Sequence, residues 1–179
     1  MKYLMQLLVL IVCATVIVTA GVAQNKYVGV KTCAPCHKAE KVGSQFGIWQ
    51  KTAHAEAFKA LTTPKAAEVA KGKGITTPAS ETPECLECHA IKAEAAQMDK
   101  FFDVKDGVQC ETCHGPGSAY KSMAVMKDKA KSVAAGLIEY KDDAAIQKKC
   151  ESCHNKKSPT YKDFKFAEFW PKIKHAVPK

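Results

Sequence analysis

Apolar positions in this chain follow two different patterns. Residues 7–18 form an apolar run interrupted only by Thr15, whereas later apolar residues recur at helical spacing between charged ones. In SQFGIWQKTAHAEAFKAL, residues 44–61, Trp49, Ala53, Ala57 and Leu61 fall on one helical face, which Phe46 and Phe58 widen. PKAAEVAKGKG predicts a short helix ended by Gly72 and Gly74, followed by a polar loop rich in Thr and Pro. TPECLECH offers Thr82 as N-cap and Pro83 as first helical residue. Residues 118–135 read as one helix closed by Gly136, and Asp142 and Asp143 start another that leads into Cys150. Only FFDVKDGV has extended character. The expected fold class is mainly α with long loops and little or no sheet.

The first run has its own reading. Lys2 precedes it, and Gly21 and Ala23 follow at the minus-three and minus-one positions of an export cleavage site. Residues 1–23 are therefore read as a signal peptide, and residues 24–179 as one domain delivered to the periplasm. The competing reading, an uncleaved membrane anchor, is disfavoured by the shortness of the apolar core. Cys13 lies inside the apolar region between Val12 and Ala14, without the small-residue context of a lipidated cysteine.

Removing the leader simplifies the cysteines. The chain has nine; all except Cys13 fall in C-x-x-C pairs followed at once by histidine. The motifs are CAPCH (Cys33, Cys36, His37), CLECH (Cys85, Cys88, His89), CETCH (Cys110, Cys113, His114) and CESCH (Cys150, Cys153, His154). An even count in an exported chain would otherwise suggest disulfides. Zinc ribbons use paired C-x-x-C but do not require a histidine after each pair. A redox dithiol needs one such motif beside a βαβ pattern, which is not visible. C-x-x-C-H is the attachment signature of haem c: the cysteines form thioethers with the vinyl groups and the histidine ligates the iron. Four motifs predict four haems c per chain.

That reading changes what composition means. Roughly 40 residues per haem are too few to build an ordinary core, so the porphyrins are expected to be the core, with helix and loop wrapped around them. The formal charge of +9 falls when Lys2 leaves with the leader. Eight ionised propionates and four ferric irons would then bring it to about +4 oxidised and about 0 reduced. Basic character is thus no evidence for nucleic-acid binding. The lysines read as a solvated surface that would steer an acidic redox partner.

Six histidines are present and four are consumed by the motifs, leaving His54 and His175 as candidate distal ligands. His54 lies in a window where Trp49 and Phe58 would cover a porphyrin face. His175 lies in FWPKIKHAVP, between Pro171 and Pro178. Met98, Met123 and Met126 are the methionines beyond the leader. Met126 and Met123, one helical turn apart after the third motif, are the stronger candidates for a thioether ligand.

The stretches YVGVKTCAPCHKAE, WQKTAHAEAF, GVQCETCHGPGSAYK, CESCHNKKSPTYKDF and FWPKIKHAVP occur in an order that resembles the tetrahaem cytochrome c-554 family of ammonia-oxidising bacteria, over residues 27–178. The resemblance implies a mainly helical multihaem fold, haems in closely stacked pairs, and electron transfer in the periplasm. It implies that His54 ligates the fourth haem, that His175 ligates the third, and that the second is five-coordinate. The family's ligand to the first haem is a histidine shortly after the third motif, where this chain has Tyr120. Met126, or Met123, is the expected substitute.

Three roles follow. The first is a carrier relaying electrons between periplasmic or membrane-associated redox proteins. The second is a reductase of a small ligand such as nitric oxide at the open second haem, with Glu84 and Glu87 as the nearby carboxylates. The third is self-association through stacked haems into a conducting filament. A pentahaem-type nitrite reductase is excluded, because no C-x-x-C-K motif is present.

Overall fold

The computed structural model describes residues 24–177. The leader lies outside the described residues, as does Pro178. The described residues are 51 % helical and essentially without strands, which makes them mainly α, as expected. Among the described residues no helix is long and apolar enough to cross a membrane.

Among the described residues ten short α-helices alternate with loops. They are α1 (Val30–His37), α2 (Gln45–Gln50), α3 (Ala57–Ala60), α4 (Pro64–Gly72), α5 (Pro83–His89), α6 (Cys110–His114), α7 (Met123–Met126), α8 (Lys129–Ala134), α9 (Asp143–Glu151) and α10 (Phe166–Ile173). Each C-x-x-C-H motif lies on or at the end of a helix: α1, α5, α6 and α9. A helix brings residues three apart onto one face, so both cysteines of a motif point the same way. Strand pairing among the described residues is a single parallel bridge between Tyr27 and Met98.

Local capping explains where the helices begin and end. Thr63 accepts from the Ala66 N–H and Pro64 opens α4, while Gly74 past its end takes φ +72°. Asp142 accepts from the Ala145 N–H at 2.8 Å and starts α9. Thr82 does stand at the N-cap of α5, but its hydroxyl donates instead to the Pro78 carbonyl at 2.9 Å and pairs with Thr77 at 2.8 Å.

Three expectations need correction. The helix expected over residues 118–135 is two helices, α7 and α8. Ser122 caps the first, and Asp128 accepts from the Lys131 N–H to begin a second, so the chain turns between them. Gly136, at φ +105°, does close the pair. The face read across residues 44–61 is divided between α2 and α3 by turns that carry His54. FFDVKDGV holds a 3-10 turn, Val104–Asp106, because the Asp103 side chain accepts from the Lys105 N–H at 2.9 Å.

The protein's own core is slight. Leu61, Ala70 and Ala79 form its buried cluster, flanked by Ala66, Ile75, Cys85 and Leu86. Several of the most buried side chains are polar: Gln109, Glu111 and Ser132 are each no more than 3 % exposed. A polypeptide that buries so little apolar surface needs another source of cohesion, which agrees with a fold organised around attached groups.

Candidate haem-binding site

The segment GVQCETCHGPGSAY, residues 107–120, is the hub of the site. At its start Val108 binds the segment that carries His54 from both sides of its peptide: its N–H donates to the His54 carbonyl at 3.0 Å, and its carbonyl accepts from the Trp49 indole at 2.7 Å. Gly107 makes this approach feasible. Its φ of +75° suits glycine, and a Cβ there would sit 2.6 Å from the His54 carbonyl oxygen.

The middle of the segment holds the first motif. Helix α1 has Gly29 at its N-cap and so no side-chain cap of its own. Glu111, between Cys110 and Cys113, supplies one from across the fold. Its carboxylate accepts from the N–H groups of Val28 (2.9 Å) and Gly29 (2.8 Å), and from Gly117 (2.6 Å). Gln109 accepts from the Val30 N–H at 2.8 Å and donates to the Asp103 carbonyl at 2.8 Å. The N–H groups at the entrance of α1 are thus taken up by Glu111 of the third motif and by Gln109 just before it.

The end of the segment is braced in the same way. Tyr120 is buried, and its hydroxyl donates to the Gly115 carbonyl at 2.5 Å and lies 3.2 Å from the His114 carbonyl. The Ile138 N–H donates to the His114 carbonyl at 3.0 Å, and the Tyr140 hydroxyl to the Cys113 carbonyl at 2.9 Å. Burial raises both phenols, Tyr140 to about 12.

The motif cysteines form a connected series. Cys33 and Cys110 are neighbours: Cys110, then burial, holds the Cys33 thiol well above its usual range, and Cys33 holds Cys110 below it. Burial raises Cys113, and the neighbouring Cys150 and Cys153 add to the rise. Cys88 is raised to about 11 by burial and then by the neighbouring Cys153, whose sulfur lies 3.9 Å from the Glu87 carbonyl. The first motif thus lies beside the third, the third beside the fourth, and the fourth beside the second.

The histidines form two facing pairs. The His54 and His154 rings have centroids 6.1 Å apart and the His114 and His175 rings 5.8 Å apart, inclined at 48° and 43°. Two imidazole nitrogens each about 2.0 Å from one metal ion put ring centres roughly 6 Å apart, so each pair has room for one iron between its rings. Burial, then His154, lowers His54; burial, then His175 and His37, lowers His114 to about 4. Burial also lowers His154. These shifts favour the neutral imidazole that ligates metal.

Other groups hold these rings. Phe164 stacks on His154 at 4.6 Å and on Phe169 at 5.9 Å. Gln45 at the start of α2 donates to the Ala176 carbonyl at 2.9 Å and tethers the tail that carries His175. His89 Nδ1 lies 2.7 Å from the Ala57 carbonyl; only an N–H can bond there, which leaves Nε2 as the free lone pair. The Trp170 indole N–H and the Thr112 hydroxyl are buried without partners, and propionates would satisfy such donors. The residues present fit haem.

The other candidates are less engaged. The His37 and His89 rings pair with no second histidine, although His37 lies near His114. The Met126 sulfur lies 3.9 Å from the Ser132 hydroxyl, and Met123 is 62 % exposed. Glu84 and Glu87 are exposed on α5. Among the described residues, no group of three or more His, Cys, Asp or Glu is arranged to hold a metal ion by itself. Sequence reasoning missed Glu111, Gln109 and Gln45, whose partners are main-chain groups distant along the chain.

Residues 32–115 match the family model described as Cytochrome c554 and c-prime. The chain is 29 % identical over 144 residues to cytochrome c-554 of Nitrosomonas europaea, covering 74 % of this chain and 59 % of that relative's length. No solved structure matches. These matches fall over the same motifs that the hub segment draws together, and they make the chain similar to the cytochrome c-554 family.

Proposed function

We propose that the chain carries four haems c, one on each motif, and relays electrons one at a time between redox proteins in the periplasm. The carrying observation is a series of neighbouring motifs: α1 packs on α6, Cys150 neighbours Cys113, and the Cys153 sulfur lies 3.9 Å from the Glu87 carbonyl inside the second motif. Groups attached to such a series would lie edge to edge, so that none is isolated from the rest. Bound haem supplies one-electron exchange at its iron.

The chain's residues do the remaining work in this reading. His37, His89, His114 and His154 hold the proximal sides, and His54 and His175 close the fourth and third sites against water and small ligands. Met126, or Met123 beside it, holds the distal side of the first. The second site stays open; Glu84 and Glu87 are solvated there rather than aimed at a substrate, which supports a carrier over a catalyst.

Partner chemistry follows from the lysines. Around the fourth motif, Lys148, Lys149, Lys156, Lys157, Lys162 and Lys165 make no ion pair among the described residues, whereas Lys31, Lys129 and Lys131 do. Unpaired positive charge of this density steers an acidic partner. Stopped-flow mixing of reduced protein with an acidic redox protein tests the proposal. Exchange should be fast at low ionic strength and fall steeply with added salt. Rates independent of salt, or rapid multiple turnover of nitric oxide instead, would overturn it.

A further inference from the structure

We infer that Glu111 is a positioning residue that fixes the first and third haems relative to each other and sets both their potentials. The inference rests on the four-haem reading above. Glu111 sits inside the third attachment motif, yet two of its three N–H partners, Val28 and Gly29, belong to the entrance of the first. Both oxygens accept and neither donates: Oε1 takes Val28 and Gly117, Oε2 takes Gly29 and also lies 3.1 Å from the Val28 nitrogen. Acceptor-only geometry is that of the ionised carboxylate.

The site is built for that side chain. Glu111 is 3 % exposed, and no lysine pairs with it among the described ion pairs. A Cβ on Gly117 would meet Glu111 Oε1 and Val28 Cγ2 at 3.0 Å each, so the turn after the third motif closes directly on the carboxylate. Gln109 makes a second, uncharged tie to Val30. Helix α1 packs on α6 beside this clamp, with Cys33 neighbouring Cys110. The thioethers formed there would attach two porphyrins at a separation set by Glu111 and Gln109.

A fixed negative charge at this junction has a definite electrical sign. It favours the ferric over the ferrous state of both neighbouring irons, and burial protects it from screening. Glu111 therefore holds the first and third potentials down together and leaves the second and fourth nearly untouched. Gln109 contributes geometry without charge.

The test uses mature holoprotein and two variants. Intact mass of the wild type reports on the four-haem reading independently. NMR of the haem methyl groups through a redox titration then follows each haem in Glu111→Gln and Gln109→Ala. Glu111→Gln should raise the first and third potentials and leave the second and fourth in place. Gln109→Ala should leave all four potentials in place while weakening the magnetic coupling between the first and third haems. Equal shifts at all four haems in Glu111→Gln, or no shift, would overturn the inference. Loss of maturation in Glu111→Gln together with unaltered coupling in Gln109→Ala would also overturn it, leaving Glu111 an ordinary folding residue.

Discussion

The backbone N–H of Val108 donates to the carbonyl of His54 at 3.0 Å. The residue two positions before the third motif therefore anchors the ring that faces the histidine of the fourth. This one bond joins a loop between two short helices to the centre of the molecule, and it explains how an isolated histidine is held without a regular helix beneath it.

If His54 and His175 are distal ligands, replacing each with alanine should convert one low-spin haem to high-spin and leave the rest unchanged. EPR of the ferric protein counts the two classes. Variants that retain the wild-type spin distribution would show that the 6.1 Å and 5.8 Å ring pairs do not bracket iron.

Tyr120 and Met126 compete as explanations of the first haem. The Tyr120 hydroxyl is bonded to main-chain carbonyls, so Tyr120→Phe should cost about 1 kcal/mol of stability and leave the spin state alone. Met126→Ala should make the first haem high-spin and abolish a thioether-type absorption band. The reverse pattern would make the phenolate the ligand.

Gly107→Ala tests the anchor of His54. A side chain at φ +75° would strain the backbone by about 1–3 kcal/mol and meet the His54 carbonyl at 2.6 Å. The expected outcome is a lower melting temperature together with partial high-spin character at the fourth haem. A variant with unaltered spectra and stability would mean that the His54 loop is held elsewhere.

An open second site should bind one carbon monoxide per chain in the reduced protein, measured by absorbance titration. Glu84→Gln and Glu87→Gln should not change nitric oxide turnover, since both carboxylates are exposed. A large drop in either variant would favour a reductase, which needs a proton donor at the iron.

The attachment motifs were legible because covalent chemistry dictates them: only C-x-x-C-H supplies two thioethers and a neighbouring ligand. His54 and His175 were legible as candidates because the other histidines had been assigned. The helix boundaries were harder to read. Asp128 ends one helical pattern by starting another, and apolar spacing carries no record of that competition. Glu111, Gln109 and Gln45 left no signal at all. Each acts on main-chain N–H or carbonyl groups contributed by segments far along the chain, and backbone groups are the same whatever the sequence. The 3-10 turn at Val104–Asp106 was concealed in a similar way, since Asp103 bonds the main chain within a stretch rich in strand formers.

The central claim is that four haems are covalently attached and form the core. Intact mass spectrometry of the mature protein under denaturing conditions tests it most directly. The account predicts the polypeptide beginning at Gln24 plus the mass of four haems, with no free thiol available to alkylating reagent. A mass corresponding to fewer haems, or alkylation at any of the eight motif cysteines, would contradict it.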